Sequence, residues 1–311
     1  MVKWNSVKAL NILGVFPNQE QSHWFMYEKY LQYLAKKGHN LTVITHFPQE
    51  EVIPNYYDVD LGAKNKVTEE VFATKKTYWM TLKVMDYVVT SGIERCKEML
   101  ENESVQELWK SKRKFDLVVM DYFNGDCGLA LAYKLGAPVI GVTSELFPWH
   151  YRTFGIPFNP SYVPFTFIDS FKPTLYKRVE STVLDYIFNL KYENAQREHE
   201  HILSKYFGDL PPLKELIRGI KFLLLYQNFV LSGSRLLPPN VIEVGGYHEM
   251  PTKPLPAVSP ILYYIFVNIF IRHVKSPSKV DAHIKVSKIP IHPSVHKKLN
   301  TSSTIIRLNN Y

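Results

Sequence analysis

Short apolar runs alternate with amphipathic stretches along the first part of the chain. Residues 10–16 form an apolar run that predicts a buried strand, and a polar, turn-like segment follows it. Apolar residues at helical spacing from Tyr27 to Leu34 then predict a helix that stops at Gly38, and residues 41–45 predict a second strand. A strand, a helix and another strand within about 35 residues make a βαβ unit, which requires parallel strands.

The same alternation returns further along the chain. Residues 115–120 predict a strand, residues 125–135 a helix closed by Gly136, and residues 138–142 another strand. Helices are also predicted over residues 68–114 and 172–207, and strands over residues 221–226 and 241–244. We therefore predict an α/β fold built on a Rossmann-like parallel sheet, with its functional loops at the carboxyl ends of the strands.

The composition supports a folded core and places most of the positive charge at one end. Of the 311 residues, 46% are hydrophobic and only 21% are charged, which excludes a largely disordered chain. Residues 257–311 carry +7 of the net charge of +8. A basic tail could bind a polyanion, but no nucleic-acid recognition motif accompanies it. We predict a solvated, poorly ordered tail and no nucleic-acid partner.

Several common catalytic signatures are absent from the sequence. It contains no G-x-G-x-x-G, no P-loop, no G-x-S-x-G and no H-E-x-x-H. Their absence argues against a dinucleotide-dependent enzyme and against a serine hydrolase.

Three other groups of residues give only weak signals for a metal site or a disulfide. His199 and His201 lie in a Glu-His-Glu-His run, but residues two apart on a helix do not share a face, so we predict a solvated helical surface. The D-x-D of residues 58–60 would place two carboxylates on one face of a strand, as in some metal-dependent enzymes, and an exposed strand face is the favoured interpretation. Cys96 and Cys127 have no metal-ligand spacing and are predicted to be isolated thiols.

The most informative pair is His23 and Asp121, because each lies just beyond the carboxyl end of a predicted strand. Loops at these ends line the crevice of an open α/β sheet. There an imidazole can accept a proton from a substrate hydroxyl while a carboxylate fixes its tautomer and stabilises the imidazolium. From position alone, the alternative is an exposed histidine at a helix start and an aspartate that caps a turn.

Four segments carry a family resemblance. Residues 10–45 resemble the N-terminal domain of the UDP-glycosyltransferases. They read LNILGVFPNQEQSHWFMYEKYLQYLAKKGHNLTVIT. The segment that supplies the family's partner aspartate is similar to residues 115–144, FDLVVMDYFNGDCGLALAYKLGAPVIGVTS. Two further segments resemble the insect branch of the family in particular. They are residues 147–158, FPWHYRTFGIPF, and residues 238–256, PPNVIEVGGYHEMPTKPLP. The resemblance covers about residues 10–256.

The resemblance implies the N-terminal, acceptor-binding half of a GT-B glycosyltransferase, in which two Rossmann-like domains face each other. It implies that His23 is the general base and Asp121 its partner. A hexosyl group, glucose or glucuronate, would pass from a UDP-sugar to a hydroxyl of a small lipophilic acceptor with inversion and without a metal. The residues implied to bind the acceptor are Ser22, Trp24, Phe147, Trp149, His150, Phe154 and Phe158. Ordinary packing of a long aromatic loop is an equal alternative for those from Phe147 onwards.

The end of the chain departs from the family pattern. The pyrophosphate loop of the family's donor domain needs glycine for close backbone approach, and no glycine follows Gly246. We therefore expect residues 1–256 to be the acceptor-binding domain, with an interdomain linker at its end, and residues 257–311 to be a divergent basic tail. The donor domain is then expected to be missing and the chain inactive alone. The UDP-sugar is a co-substrate of the complete enzyme, with no tightly bound cofactor and no metal.

Two other functions stay open on the sequence. A non-catalytic module could capture lipophilic ligands or pair with an intact transferase, and the basic tail could bind a polyanion. The resemblance implies a location in the lumen or membrane of the endoplasmic reticulum. Residues 1–9 lack the apolar stretch of a signal peptide, and the apolar run at residues 261–271 is too short to span a bilayer.

Overall fold

A parallel β-sheet forms the centre of the part of the chain that the structure describes. The computed structural model describes residues 8–62, 78–111, 113–163, 173–233 and 235–247. These residues hold seven strands: β1 (Asn11–Phe16), β2 (Asn40–Thr45), β3 (Tyr56–Asp60), β4 (Leu117–Asp121), β5 (Val139–Thr143), β6 (Ile220–Leu225) and β7 (Val241–Glu243). The strand order is β3-β2-β1-β4-β5-β6-β7, and every neighbouring pair is parallel.

Helices connect these strands and cover the sheet. Those described are α1 (Gln21–Lys36), α2 (Tyr78–Glu101), α3 (Glu103–Lys110), α4 (Cys127–Leu135), α5 (Pro148–Phe154), α6 (Leu175–Phe207), α7 (Leu213–Arg218) and α8 (Phe229–Ser232). The predicted α/β fold with a Rossmann-like parallel sheet is confirmed. From β1, strands β2 and β3 extend the sheet in one direction and β4 to β7 extend it in the other, so the topological switch point lies between β1 and β4. In open α/β sheets, ligands bind at the carboxyl ends of the strands beside such a switch point.

Strand β1 shows why the sheet is buried on both faces. Ile12 and Phe16 pack into the core beneath α1, whereas Leu13 and Val15 pack on the opposite face with residues of α2 and α4. All four side chains are at most 2% exposed. A strand covered on both faces reads as a continuous apolar run, which is the pattern that predicted it.

The aromatic segment at residues 147–158, interpreted from sequence as a loop, contains helix α5. Pro148 lies in its first turn, and Gly155 ends it with a φ of 67°. Proline suits the first turn because no intrahelical N–H bond is needed there, and glycine suits a left-handed C-cap. The loop interpretation was therefore wrong for the first half of this segment.

The predicted helix over residues 68–114 divides into α2 and α3. Asn102 separates them, because its side chain accepts a hydrogen bond from Val105 N and caps the second helix. Among the described residues, no helix combines the length and the apolar character that crossing a bilayer requires. The predicted domain end at residue 256 and the basic tail at residues 257–311 lie outside the described residues.

Candidate active site

Two neighbouring strand ends carry the predicted catalytic pair. Strand β1 leads through residues 17–20 into α1, whose first turn holds His23. Asp121 is the last residue of β4, which pairs with β1. Pairing with β5 extends β4 by one residue beyond its predicted end and includes Asp121. Both residues therefore lie at the carboxyl edge of the sheet, beside the switch point.

His23 is half-buried in an aromatic environment. Its ring meets the Phe123 ring edge to face at a centroid distance of 4.4 Å and lies 6.4 Å from the Tyr27 ring. The Nδ1 atom is buried and makes no hydrogen bond to any described residue. Burial lowers the pKa of His23 to about 4, with Glu20 opposing this shift and Arg95 adding to it. The imidazole is therefore neutral at physiological pH and able to accept a proton.

Asp121 is buried and has two hydrogen-bond donors of its own. Asn18 Nδ2 donates to one carboxylate oxygen, and the Tyr27 hydroxyl donates to the other at 3.0 Å. Burial raises the pKa of Asp121 to about 7, although both hydrogen bonds act in the opposite direction. Asn18 and Tyr27 are the hydrogen-bond donors to Asp121 in this structure, and no direct hydrogen bond joins Asp121 to His23. The direct contact expected from the sequence is thus replaced by an arrangement in which Tyr27 contacts both residues.

Arg95 connects this pair to helix α2. Its Nη1 donates to Asn18 Oδ1 at 2.8 Å, and its Nη2 forms an ion pair with Glu20. Asn18 and Glu20 belong to the loop between β1 and α1, so Arg95 holds the loop that precedes His23. Sequence reasoning missed this contact, because 77 residues separate Arg95 from Asn18. The polar residues of the loop after β1 were the available sign that this loop has a charged partner elsewhere in the chain.

Most of the predicted acceptor-binding aromatics are packed inside the protein. Phe147 stacks on Trp149 at 4.7 Å, and Trp149 stacks on Tyr192 of α6 at 4.5 Å. Phe154 lies edge-on to Tyr122 at 6.0 Å. All three predicted residues are at most 8% exposed. Together they join α5 to the sheet and to α6, so in this structure they form part of the core.

His150 is also fully buried, and both of its ring nitrogens have backbone partners. The Phe147 amide donates to Nδ1 at 2.8 Å, which leaves the ring proton on Nε2. Nε2 lies 2.7 Å from the Tyr122 carbonyl oxygen, to which it donates. Burial lowers the pKa of His150 to about 3, so the ring is neutral. These contacts give His150 a structural role in fixing α5 to the end of β4.

The remaining predicted residues differ in how accessible they are. Trp24 is buried and stacks on Phe47 at 5.8 Å. Ser22 is exposed at the start of α1, and Phe158 is half-buried against Tyr151 at 5.5 Å. Ser22 and Phe158 therefore present surface that a ligand could contact.

Phe123 is a site residue that the sequence reasoning did not identify. Its ring lies 4.4 Å from the ring of His23 and 5.0 Å from that of Phe147, in both cases edge to face. Because it is half-buried, it links the interior aromatic cluster to the surface around His23. Its position two residues after Asp121 was the available signal, since alternate residues share a side of an extended segment.

Comparison with known proteins identifies the family. The family model described as "UDP-glucoronosyl and UDP-glucosyl transferase" matches residues 12–260. The chain belongs to this family. UDP-glucosyltransferase 2 of Dactylopius coccus is 31% identical over 265 residues, which cover 82% of this chain and 51% of that protein. UDP-glucuronosyltransferase 3A2 of Homo sapiens is 26% identical over 255 residues, which cover 76% of this chain and 47% of that protein.

The chain spans about half the length of the curated UDP-glycosyltransferases that it matches. Solved structures with a related chain trace include CalG4, the calicheamicin glycosyltransferase, at 18% identity and a TM-score of 0.40, covering 77% of this chain and 53% of that one. The glycotransferase of kitacinnamycin has 14% identity and a TM-score of 0.47, and the match covers 86% and 64% of the two chains. The fold assignment rests on the parallel sheet described above.

The two cysteines of this UDP-glycosyltransferase family member form a disulfide, so the prediction of isolated thiols was wrong. Cys96 of α2 pairs with Cys127 of α4 across a Cα–Cα distance of 5.7 Å. No local spacing rule predicts this pair, because the two helices meet only through the tertiary fold. Both cysteines also line a small cavity with Asn18, Arg95 and Asp121, so the disulfide borders the candidate active site.

Two weaker sequence signals are partly corrected by the structure. His201 is exposed as predicted, but His199 is buried with 1% exposure, because α6 turns alternate residues to opposite sides. In the D-x-D of β3, Asp58 accepts a hydrogen bond from Gln49 N and Asp60 accepts one from Gly62 N. Among the described residues, neither carboxylate belongs to a group of three potential metal ligands.

Proposed function

We propose that this chain provides the acceptor-binding part of a UDP-glycosyltransferase. The reaction is the transfer of a hexosyl group, glucose or glucuronate, from a UDP-sugar to a hydroxyl of a small lipophilic acceptor, with inversion and without a metal. The observation that carries the proposal is the family match over residues 12–260, which includes a neutral histidine at the carboxyl edge of the sheet. The UDP-sugar is a co-substrate of the complete enzyme.

The proposed chemistry uses His23 as the general base. The acceptor oxygen forms a bond to the anomeric carbon, the bond from that carbon to the UDP oxygen breaks, and the hydroxyl proton passes to His23. An imidazole with a pKa near 4 is a weak base, so it needs a nearby negative charge to stabilise the imidazolium. Asp121 supplies that charge when it is ionised, and Tyr27 holds it in place.

The acceptor site that we propose lies at the surface around His23. Phe123 provides an aromatic ring beside the base. Ser22, which precedes His23 in α1, and Phe158, which follows α5, offer accessible surface. Phe147, Trp149, His150 and Phe154 support this site from the core. We therefore propose that they shape the acceptor site through Phe123 and α5, as positioning residues.

A non-catalytic module that binds lipophilic ligands or pairs with a transferase is the second candidate. It is favoured by the hydrogen bonds of Asp121, which go to Asn18 and Tyr27 and leave His23 without a direct carboxylate partner. We propose the lumen or membrane of the endoplasmic reticulum as the location for either function, and the family resemblance supports this proposal. Protection of the chain from added protease in sealed microsomes tests that location.

The activity is tested by joining this chain to the remaining half of UDP-glucosyltransferase 2 of Dactylopius coccus, a protein of which it spans 51%. The fusion is incubated with UDP-glucose and a simple phenol, and the product is analysed for its anomeric configuration. We expect the β-glucoside from the α-linked donor. A folded fusion that binds the phenol in calorimetry but forms no glucoside favours the binding module.

A further inference from the structure

Three potential metal ligands converge in the core between α2, α4 and α6. They are Cys96, Cys127 and His199, one from each helix. One candidate ligand atom from each lies within 4.8 Å of the other two, and each side chain is at most 2% exposed. Among the described residues, this is the one group of three or more histidine, cysteine or carboxylate side chains with such spacing.

The histidine of this group lacks the partners that a buried imidazole needs. Neither ring nitrogen of His199 makes a hydrogen bond to any described residue. The nearest carboxylate oxygen, on Asp126, lies 4.0 Å from Nδ1, which is beyond hydrogen-bond range. The Asp126 carboxylate instead accepts hydrogen bonds from the Tyr192 hydroxyl and the Gln196 amide. Burying polar atoms without a hydrogen-bond partner is unfavourable in free energy, so a ligand bound to the ring would remove this penalty.

We propose that the dithiol form of this chain binds one Zn²⁺ ion through the Cys96 and Cys127 thiolates and a ring nitrogen of His199. A dithiol reductant first transfers two electrons to the Cys96–Cys127 disulfide and is itself oxidised to a disulfide. The two thiols that form lose their protons as they bind the metal. The same two sulfurs thus have two states, which are a disulfide and a metal site.

The spacing and chemistry of the group fit zinc. Zn–S bonds of about 2.3 Å and Zn–N bonds of about 2.0 Å in a tetrahedron place neighbouring ligand atoms roughly 3.5–3.8 Å apart. The two sulfurs, which are bonded to each other in the disulfide, must therefore move apart by roughly 1.5–2 Å after reduction, while all three ligand atoms already lie within 4.8 Å of one another. Thiolate and imidazole are ligands that zinc prefers, and a carboxylate beside the imidazole commonly orients it, as Asp126 would here. The cavity of about 10 Å³ that both cysteines line has room for about one water, which would supply the fourth ligand.

The test uses the full chain in its reduced form. It is produced in a reducing cytoplasm and purified with a phosphine reductant, and a thiol assay confirms that both cysteines are free. Co²⁺ is then titrated in as a spectroscopic probe and displaced by Zn²⁺. We expect one Co²⁺ per chain with a thiolate-to-cobalt charge-transfer band. Zn²⁺ should raise the Tm of the reduced chain and leave that of the oxidised chain unchanged.

Variants on the same helix identify the third ligand. His199→Ala should weaken Co²⁺ binding by at least about tenfold, whereas His201→Ala is the matched control, an exposed histidine whose loss should change nothing. His199→Asn gives the same comparison if the alanine variant does not fold. A folded, reduced chain without a charge-transfer band overturns the proposal, as does undiminished binding by both His199 variants. If reduction unfolds the chain, Zn²⁺ should restore its circular dichroism, and failure to do so also overturns it.

Discussion

His23 and Asp121 show how burial sets the chemistry of single residues. Burial raises the pKa of Asp121 from 3.8 to about 7, so between these values the folded chain holds a proton that the unfolded chain has released. The stability that this proton contributes is present at about pH 4 and is lost as the pH rises to about 7. We expect Asp121→Asn to remove this loss, which is at most about 4 kcal/mol in the free energy of unfolding. Urea unfolding of both proteins between pH 4 and pH 8 measures it.

His23 provides the control for this prediction because its shift has the opposite sign. Burial lowers its pKa from 6.5 to about 4, so it contributes stability that grows as the pH rises through this interval. Relative to the unchanged chain, the Asp121→Asn protein should therefore lose less stability as the pH rises from 4 to 6.5, and the His23→Ala protein should lose more. Identical pH profiles for the unchanged chain and Asp121→Asn would contradict the buried carboxyl described here.

Only some residues of the candidate active site were predictable from the sequence. His23 and Asp121 follow from the ends of predicted strands and from the family resemblance. Asn18, Tyr27 and Arg95 do not, because their contacts with the pair depend on how α1 and α2 pack. Tyr27 illustrates this, since the sequence analysis used it only for the helical spacing of α1, and its hydroxyl donates to a carboxylate 94 residues away.

At the scale of elements, helix α2 packs tightly against the loop that follows β4. A Cβ at Gly92 would lie 2.1 Å from the backbone oxygen of Asn124, whose side chain also donates to Val88 O at 2.8 Å. We expect Gly92→Ala to lower the free energy of unfolding by about 1–3 kcal/mol, because backbone must move to admit the methyl group. Gly125→Ala, where nothing lies within 4 Å, should stay within about 0.5 kcal/mol. Equal effects of the two substitutions in urea unfolding would show that α2 is not in this close contact.

Elements with a clear hydrophobic period were predicted well, and those set by tertiary packing were not. The apolar runs at residues 10–16 and 41–45 gave β1 and β2 nearly to the residue. Helix α5 was missed because it is only seven residues long and five of its side chains are buried, which leaves too few exposed polar positions to create a helical period. The proline and glycine that bound it were the usable local signals.

At the scale of the whole molecule, the disulfide joins two helices that flank the candidate site. Cys96 and Cys127 are 31 residues apart in sequence, for which the chain-entropy account of cross-links gives about 4 kcal/mol of stabilisation. With a chelator present, we expect the free energy of unfolding in urea to be higher for the oxidised chain than for the reduced chain by up to this amount. The double variant Cys96→Ser/Cys127→Ser should match the reduced chain. If the oxidised chain is no more stable than that variant, the disulfide does not constrain the fold.

We propose that His23 acts as the base of a sugar transfer. It is tested most directly by turnover of the fusion with the remaining half of UDP-glucosyltransferase 2, measured with UDP-glucose and a phenol. We predict that His23→Ala lowers kcat on the order of 10²-fold or more with little change in the KM for the phenol, and that His201→Ala leaves both unchanged. A His23→Ala fusion that folds and turns over at the unmodified rate would contradict the role of His23 as the base.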